Sequence, residues 1–142
     1  MADYRFFPLD TLRFPIVARF YKDHYPAGKP KKDEVIWTME REKRLAGAVR
    51  FRQFNKFQLL TGMLIDPEFR GEKLGATFLK SIQEQTQSKI CYCLAYRYLV
   101  SLYEGAGFYI IDDHALPDEL QGRYASYCNS GKDLVPMQYL PK

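Results

Sequence analysis

No stretch of this 142-residue chain stays apolar for long enough to cross a bilayer. The opening Met-Ala-Asp-Tyr-Arg-Phe-Phe also lacks the apolar run and small-residue cleavage site of a secretory leader. A cytoplasmic protein with no membrane partner is therefore expected. Cysteine is scarce, with Cys91, Cys93 and Cys128 only. The number is odd, and the C-x-C pair falls in an expected strand where same-face side chains are poorly placed for bridging, so reduced thiols are expected. The two histidines, His24 and His114, lie far apart and offer no zinc spacing, and no metal is expected. Neither G-x-x-x-x-G-K-S/T nor a strand-linked G-x-G-x-x-G occurs, which counts against nucleotide hydrolysis and hydride transfer. No internal repeat or low-complexity tract is visible.

What remains is ordinary for a globular chain: 46% hydrophobic and 27% charged residues, enough for one real core, so residues 1–142 are read as a single domain. The net charge is +4, with basic residues gathered at Lys29, Lys31 and Lys32 and again between Arg41 and Arg52. That excess suits an anionic small ligand and is mild for a nucleic-acid binder. Most of these charges read as solvated loops. Arg50 and Arg52, two apart in an expected strand, share one face, where they could receive a carboxylate or phosphate or simply form a solvent-facing edge.

The patterning predicts a strand near Tyr4 to Phe7, a helix from about Phe14 to His24 with Pro15 in its first turn, and a hairpin over Glu34 to Phe54. A strand buried on both faces follows over Leu59 to Ile65, ended by Asp66-Pro67. An amphipathic helix then carries Leu74, Phe78, Leu79 and Ile82 inward and runs to about Gln87. Further elements are a strand over Ile90 to Ala95, a short helix from Tyr98 to Glu104 ended by Gly105 and Gly107, and a strand over Phe108 to Ile111. A helix from Asp118 to Tyr127 and a last strand near Leu134 to Leu140 complete the chain. A hairpin first and crossovers later imply an α+β, three-layer α/β/α fold, with a mixed, largely antiparallel sheet and helices on both faces.

The junction between the buried strand and its helix reads Arg70-Gly71-Glu72-Lys73-Leu74-Gly75-Ala76. A strand, a glycine-containing turn and a helix start aim unpaired backbone N–H groups at one point, where the helix dipole also favours an anion such as a pyrophosphate. The segment resembles the coenzyme A loop of the GNAT N-acetyltransferase superfamily, which reads Arg or Gln, two residues, Gly, one residue, then Gly or Ala. Arg70 fills its first position and Gly75 its last, while Lys73 stands where the family usually has its first glycine. Two further landmarks appear in family order. A hairpin carries Gly47 early in its second strand, and Leu102-Tyr103-Glu104-Gly105-Ala106-Gly107-Phe108 resembles the family's Tyr-to-Phe signature. The resemblance covers roughly Glu34 to Ile111.

The resemblance implies an acyl transfer from acetyl-coenzyme A, as acyl-donor cosubstrate, to a primary amine by direct attack. Phosphates would lie on the amides of Arg70, Gly71, Glu72, Lys73, Leu74, Gly75 and Ala76, and pantetheine beside Met63, Leu64 and Ile65. Backbone N–H groups at Leu64 or Ile65 would meet the acyl carbonyl, with Gly62 a place for a bulge. Tyr103 would protonate the leaving sulfur. Tyr96 occupies the position seven before it, where the family often has a cofactor-holding asparagine. The strand Phe57 to Ile65 holds no carboxylate, so the general base is left to a water chain or to His24 or Tyr25. Cys91 and Cys93 read as buried, inert thiols. The acceptor is a small-molecule or peptide amine, walled by Tyr21 to Asp33 and by Asp112 to Lys142, with Tyr124, Tyr127 and Tyr139 adding aromatic surface. Oligomeric state is open, a homodimer included. Two other readings stand beside this one: a catalytically degenerate coenzyme A-binding sensor or partner module, and a nucleic-acid-binding domain using the basic hairpin, which predicts binding that collapses with salt.

Overall fold

The computed structural model describes residues 4–69 and 74–139. Its elements, in chain order, are strand β1 (Tyr4–Pro8), helix α1 (Phe14–His24), and strands β2 (Val35–Arg41), β3 (Arg44–Gln53) and β4 (Phe57–Ile65). Helices α2 (Leu74–Ser81) and α3 (Gln83–Thr86), strand β5 (Ile90–Tyr96) and helix α4 (Val100–Gly105) follow. Strand β6 (Tyr109–Ile110), helix α5 (Asp118–Asn129) and strand β7 (Leu134–Tyr139) end the described chain. The seven strands form one sheet in the order β1-β2-β3-β4-β5-β7-β6, antiparallel everywhere except between β4 and β5. The α+β expectation holds. No helix among the described residues is long and apolar enough to cross a membrane.

Each sheet face is buried for a reason visible in the side chains. Helix α1 begins with Pro15, whose missing N–H is no loss there, and turns Val17, Phe20 and Tyr21 onto Ile36, Ala48 and Leu64. On the opposite face α2 lays Leu74, Phe78 and Leu79 over Val49, Phe51, Leu60 and Cys93, and Tyr103 of α4 joins the same core. Helix α5 covers the α1 face further along, with Leu120 against Phe57, Leu59 and Tyr92.

The hairpin turn between β2 and β3 is only Glu42 and Lys43, both with positive φ (52° and 66°). A two-residue turn of this hand matches strand twist, but side chains other than Gly, Asn and Asp adopt it at a cost. The helix expected to reach Gln87 breaks instead at Ile82 (φ −110°, ψ 23°) into α2 and α3. The break lets Gln85 turn inward. The Gln58 side chain is fully buried and needs partners, and its amide donates to the Gln85 carbonyl oxygen at 2.7 Å while accepting from Gln85 Nε2 at 2.7 Å. Trp37 Nε1 donates to the same Gln85 side chain at 3.0 Å.

Candidate active site

The central event is the parting of β4 from β5. Four residue pairs, Phe57 to Leu60 against Ile90 to Cys93, join the two strands in parallel. Beyond them β4 continues along β3 only, and β5 along β7 only. The gap is widened by a bulge. Ala48 faces Leu64 and Arg50 faces Thr61, so Gly62 and Met63 together oppose Val49. Gly62 takes φ +64°, a conformation open to glycine. The fully buried Tyr21 hydroxyl donates to the Gly62 carbonyl oxygen at 2.6 Å and holds the bulge in place.

Behind this contact lies a buried ion pair. Arg50 Nε and Nη2 donate to the two Glu34 carboxylate oxygens at 2.9 Å each, and Nη1 donates to the Gly28 carbonyl oxygen at 2.7 Å. The same guanidinium lies 5.6 Å from the Tyr21 ring centroid. Of the roles open to Arg50 and Arg52, Arg50 receives a carboxylate, that of Glu34 in its own chain, together with the Gly28 carbonyl, while Arg52 lies over the Phe54 ring. Arg50 ties the loop before β2 to the bulge, and the Tyr25 ring packs so close to Gly28 that a Cβ there would meet it at 2.9 Å.

A cavity of about 140 Å³ occupies the split, lined by Leu59 to Met63 of β4, Cys93 to Tyr96 of β5, Tyr103 of α4, and Tyr25, Tyr127, Lys132 and Leu134. It passes through the sheet. Tyr103, Met63 and Cys93 belong to the α2–α4 side, whereas Leu59 and Leu94 belong to the α5 side. Tyr103 is buried, packed edge-on against Phe108 at 5.6 Å, and its hydroxyl makes no hydrogen bond to any described residue. Burial pushes its ionisation well above that of an ordinary phenol, which keeps the proton on. Cys93 also lines the cavity, yet burial pushes its thiol up as well, and Cys91 beside it is pushed up to about 12, so neither presents a thiolate at neutral pH.

The remaining expected residues divide clearly. Met63 lines the cavity, Leu64 faces α1, and Ile65 packs toward the main core. Tyr96 ends β5 on the cavity wall, stacked on Tyr98 with ring centroids 5.8 Å apart. Arg70, Gly71, Glu72 and Lys73 lie outside the described residues. Leu74 is buried at the start of α2, and Ala76 is half-buried in its first turn. Gly75 faces α4, where an added Cβ would sit 3.4 Å from Leu102, ordinary contact for alanine and none to spare for more. Gly107, in the Tyr-to-Phe signature, has a stricter reason: φ is +102° and a Cβ would lie 2.5 Å from the Tyr139 ring. His24, considered as a base, lies 3.7 Å from Asp66 and is not among the cavity residues. Thr61 and Lys132 were not anticipated. The one local cue to Lys132 is Gly131 (φ +91°), which ends α5 and turns the chain back, so that the Lys132 N–H donates to the Tyr127 carbonyl oxygen.

No curated protein matches the sequence. Residues 17–120 match the family described as "Acetyltransferase (GNAT) domain". Among solved structures the chain is similar to N-acetylglutamate synthase from Neisseria gonorrhoeae, complexed with coenzyme A and N-acetyl-glutamate (13% identity, TM-score 0.70), covering 98% of this chain and 35% of that one. It therefore spans about a third of that protein's length. It is also similar to the ribosomal-protein-S18-alanine N-acetyltransferase from Escherichia coli (11% identity, TM-score 0.66, 96% and 93% covered). A chimera of the Vibrio cholerae spermidine N-acetyltransferase with hSSAT aligns as well (17% identity, TM-score 0.65, 96% and 95% covered). These structures share the fold, and the family match over most of the chain carries the assignment: the chain belongs to the GNAT family, as an acetyltransferase domain.

Proposed function

We propose that this chain is a single-domain, cytoplasmic N-acetyltransferase that moves an acetyl or short acyl group from acetyl-coenzyme A to a primary amine by direct attack. The observation that carries the reading is the Tyr103 hydroxyl, protonated by its burial and without a described protein partner, on the wall of a cleft that runs through the sheet. The residues suit a thioester donor. The bulge at Gly62 and Met63 interrupts the β3–β4 ladder beside the cleft, and the start of α2 lies on the face where Tyr103 belongs to the core. Acetyl-coenzyme A would supply an acyl carbon activated by its bond to sulfur.

The chain's own residues account for the rest. A backbone amide at Leu64 or Ile65 would donate to the oxygen on which negative charge develops, a use of fixed dipoles that needs no rearrangement during reaction. The amine nitrogen bonds to the acyl carbon and the carbon–sulfur bond breaks. The thiolate takes the proton of the Tyr103 hydroxyl, and the amine's surplus proton passes through water back to the Tyr103 oxygen, since no carboxylate or histidine among the described residues lines the cleft. Leu74, Gly75 and Ala76, with Arg70 to Lys73 before them, would hold the pyrophosphate at the head of α2. Nucleic acid and membrane have no place in this scheme, and a homodimer is compatible with it.

Calorimetric titration with acetyl-coenzyme A, followed by release of free thiol in the presence of an amine panel, tests the reading. Binding with amine-dependent thiol release is expected. Binding without turnover on any amine would favour a coenzyme A sensor, and no binding by folded protein would end both readings.

A further inference from the structure

The cleft's polar inventory is one-sided. Among the described residues its lining includes Tyr25, Thr61, Tyr96, Tyr103 and Tyr127 and a single charged side chain, Lys132, with no aspartate, glutamate or histidine. The neighbouring carboxylate, Asp133, is committed elsewhere: it accepts from Arg97 Nε and Nη2 at 3.0 and 3.1 Å. Lys132 forms no ion pair among the described residues, and its ammonium lies 4.7 Å from the centroid of the Tyr127 ring, itself a cavity wall. That ring contact supplies the cation with a place but no counter-charge. Lys132 lies on the cavity wall between α5, whose Leu120 packs on the face opposite Tyr103, and β7.

An acceptor entering past Lys132 meets, among the described residues, a positive charge, four tyrosines and no anion. A second ammonium on the acceptor would be repelled and unpaired there, whereas a carboxylate would find a charged donor. We infer that the acceptor is a compact amine that also carries a carboxylate, of the amino-acid class, and that Lys132 receives this carboxylate and sets the specificity of the site. The inference rests on the acetyltransferase reading above. Held by its carboxylate at Lys132, the acceptor can extend its amine inward along the Tyr25 and Tyr127 rings toward the split. The positive charge also favours the neutral form of a nearby amine, the form that attacks.

The test uses the full chain with saturating acetyl-coenzyme A, reading thiol release with the standard amino acids on one side and putrescine and cadaverine on the other. Turnover on one or more amino acids, and less on the diamines, is expected. Lys132→Met should raise KM for the preferred amino acid about tenfold or more with a much smaller change in kcat, Lys132→Arg should restore most of it, and Lys132→Glu should shift preference toward the diamines. Lys132 is exposed, so these variants are expected to fold. Calorimetric binding of acetyl-coenzyme A separates the two levels. Failure to bind it overturns the acetyltransferase reading itself. Binding it while turning over no amino acid, preferring diamines, or keeping the same KM in Lys132→Met overturns the role of Lys132.

Discussion

Replacing Arg50 by methionine should destabilise the protein more than any change to a surface ion pair. The Glu34 side chain is 1% exposed and that of Arg50 11%, so the substitution removes three charge-assisted bonds, two to Glu34 and one to Gly28, and leaves a buried carboxylate without its cation. Breaking a buried pair from one side costs about 3–5 kcal/mol. The Lys31 backbone N–H still donates to Glu34 Oε1 at 2.7 Å, which places the expectation near the lower end, about 3 kcal/mol. For a chain near this size that corresponds to a fall in Tm of roughly 6–12 °C. Urea unfolding of the wild type, Arg50→Met, and the double variant Arg50→Met with Glu34→Gln would measure it. The double variant should regain part of the loss, because the charge left behind is gone. If Arg50→Met unfolds within 1 kcal/mol of the wild type, or the double variant is no more stable than the single, the pair is not the buried clasp described above.

Tyr103→Phe should lower kcat about a hundredfold or more while leaving acetyl-coenzyme A affinity nearly unchanged, and equal losses in both would refute a proton-donating role. Burial raises Cys91, Cys93, Tyr21 and Tyr103 above their ordinary values of 9.0 and 10.0. The unfolded chain therefore gives up these protons first. Their stabilising contribution is whole below pH 9, shrinks as pH rises through 9 and 10, and for Cys91 is fully lost near 12. Urea midpoints should fall between pH 8 and pH 10.5, and a flat profile would contradict the burial of these groups. Changing Glu42 to Asn and Lys43 to Gly together should raise stability by about 1–2 kcal/mol, read as a higher Tm, because both positions have positive φ. No gain would argue against that turn.

Elements whose cause is local were legible in the sequence. Pro15 followed by Val17, Phe20 and Tyr21 specifies α1, and Gly62 in an otherwise apolar strand marks the bulge. Gly107 before Phe108 marks a backbone position that only glycine fits. Tyr103 was legible through the signature around it. What escaped has a cause far along the chain. The helix break at Ile82 answers to the buried Gln58 amide, 27 residues from its partner Gln85. Arg50 finds Glu34 across the hairpin, 16 residues away, and no periodicity shows whether a strand arginine meets a carboxylate or solvent. Lys132 reaches the cleft because the chain turns at Gly131, just past α5, beside the first residues of β7, a proximity that sequence spacing does not encode. Tyr127 was visible as aromatic surface, without the cavity it walls.

The brevity of the β4–β5 junction bears on how the chain folds. β2, β3 and β4 pair across connections of two and three residues, so their contacts close small loops and form at little entropic cost. The junction to β5 must wait for the whole α2–α3 crossover, and β7 joins β5 only after α4, β6 and α5 have been placed. The cleft therefore lies at a boundary that closes late, between a meander of low contact order and a distant second half. Substitutions along its walls are expected to speed unfolding while barely changing the folding rate, which leaves this surface free to vary without slowing the search for the native state.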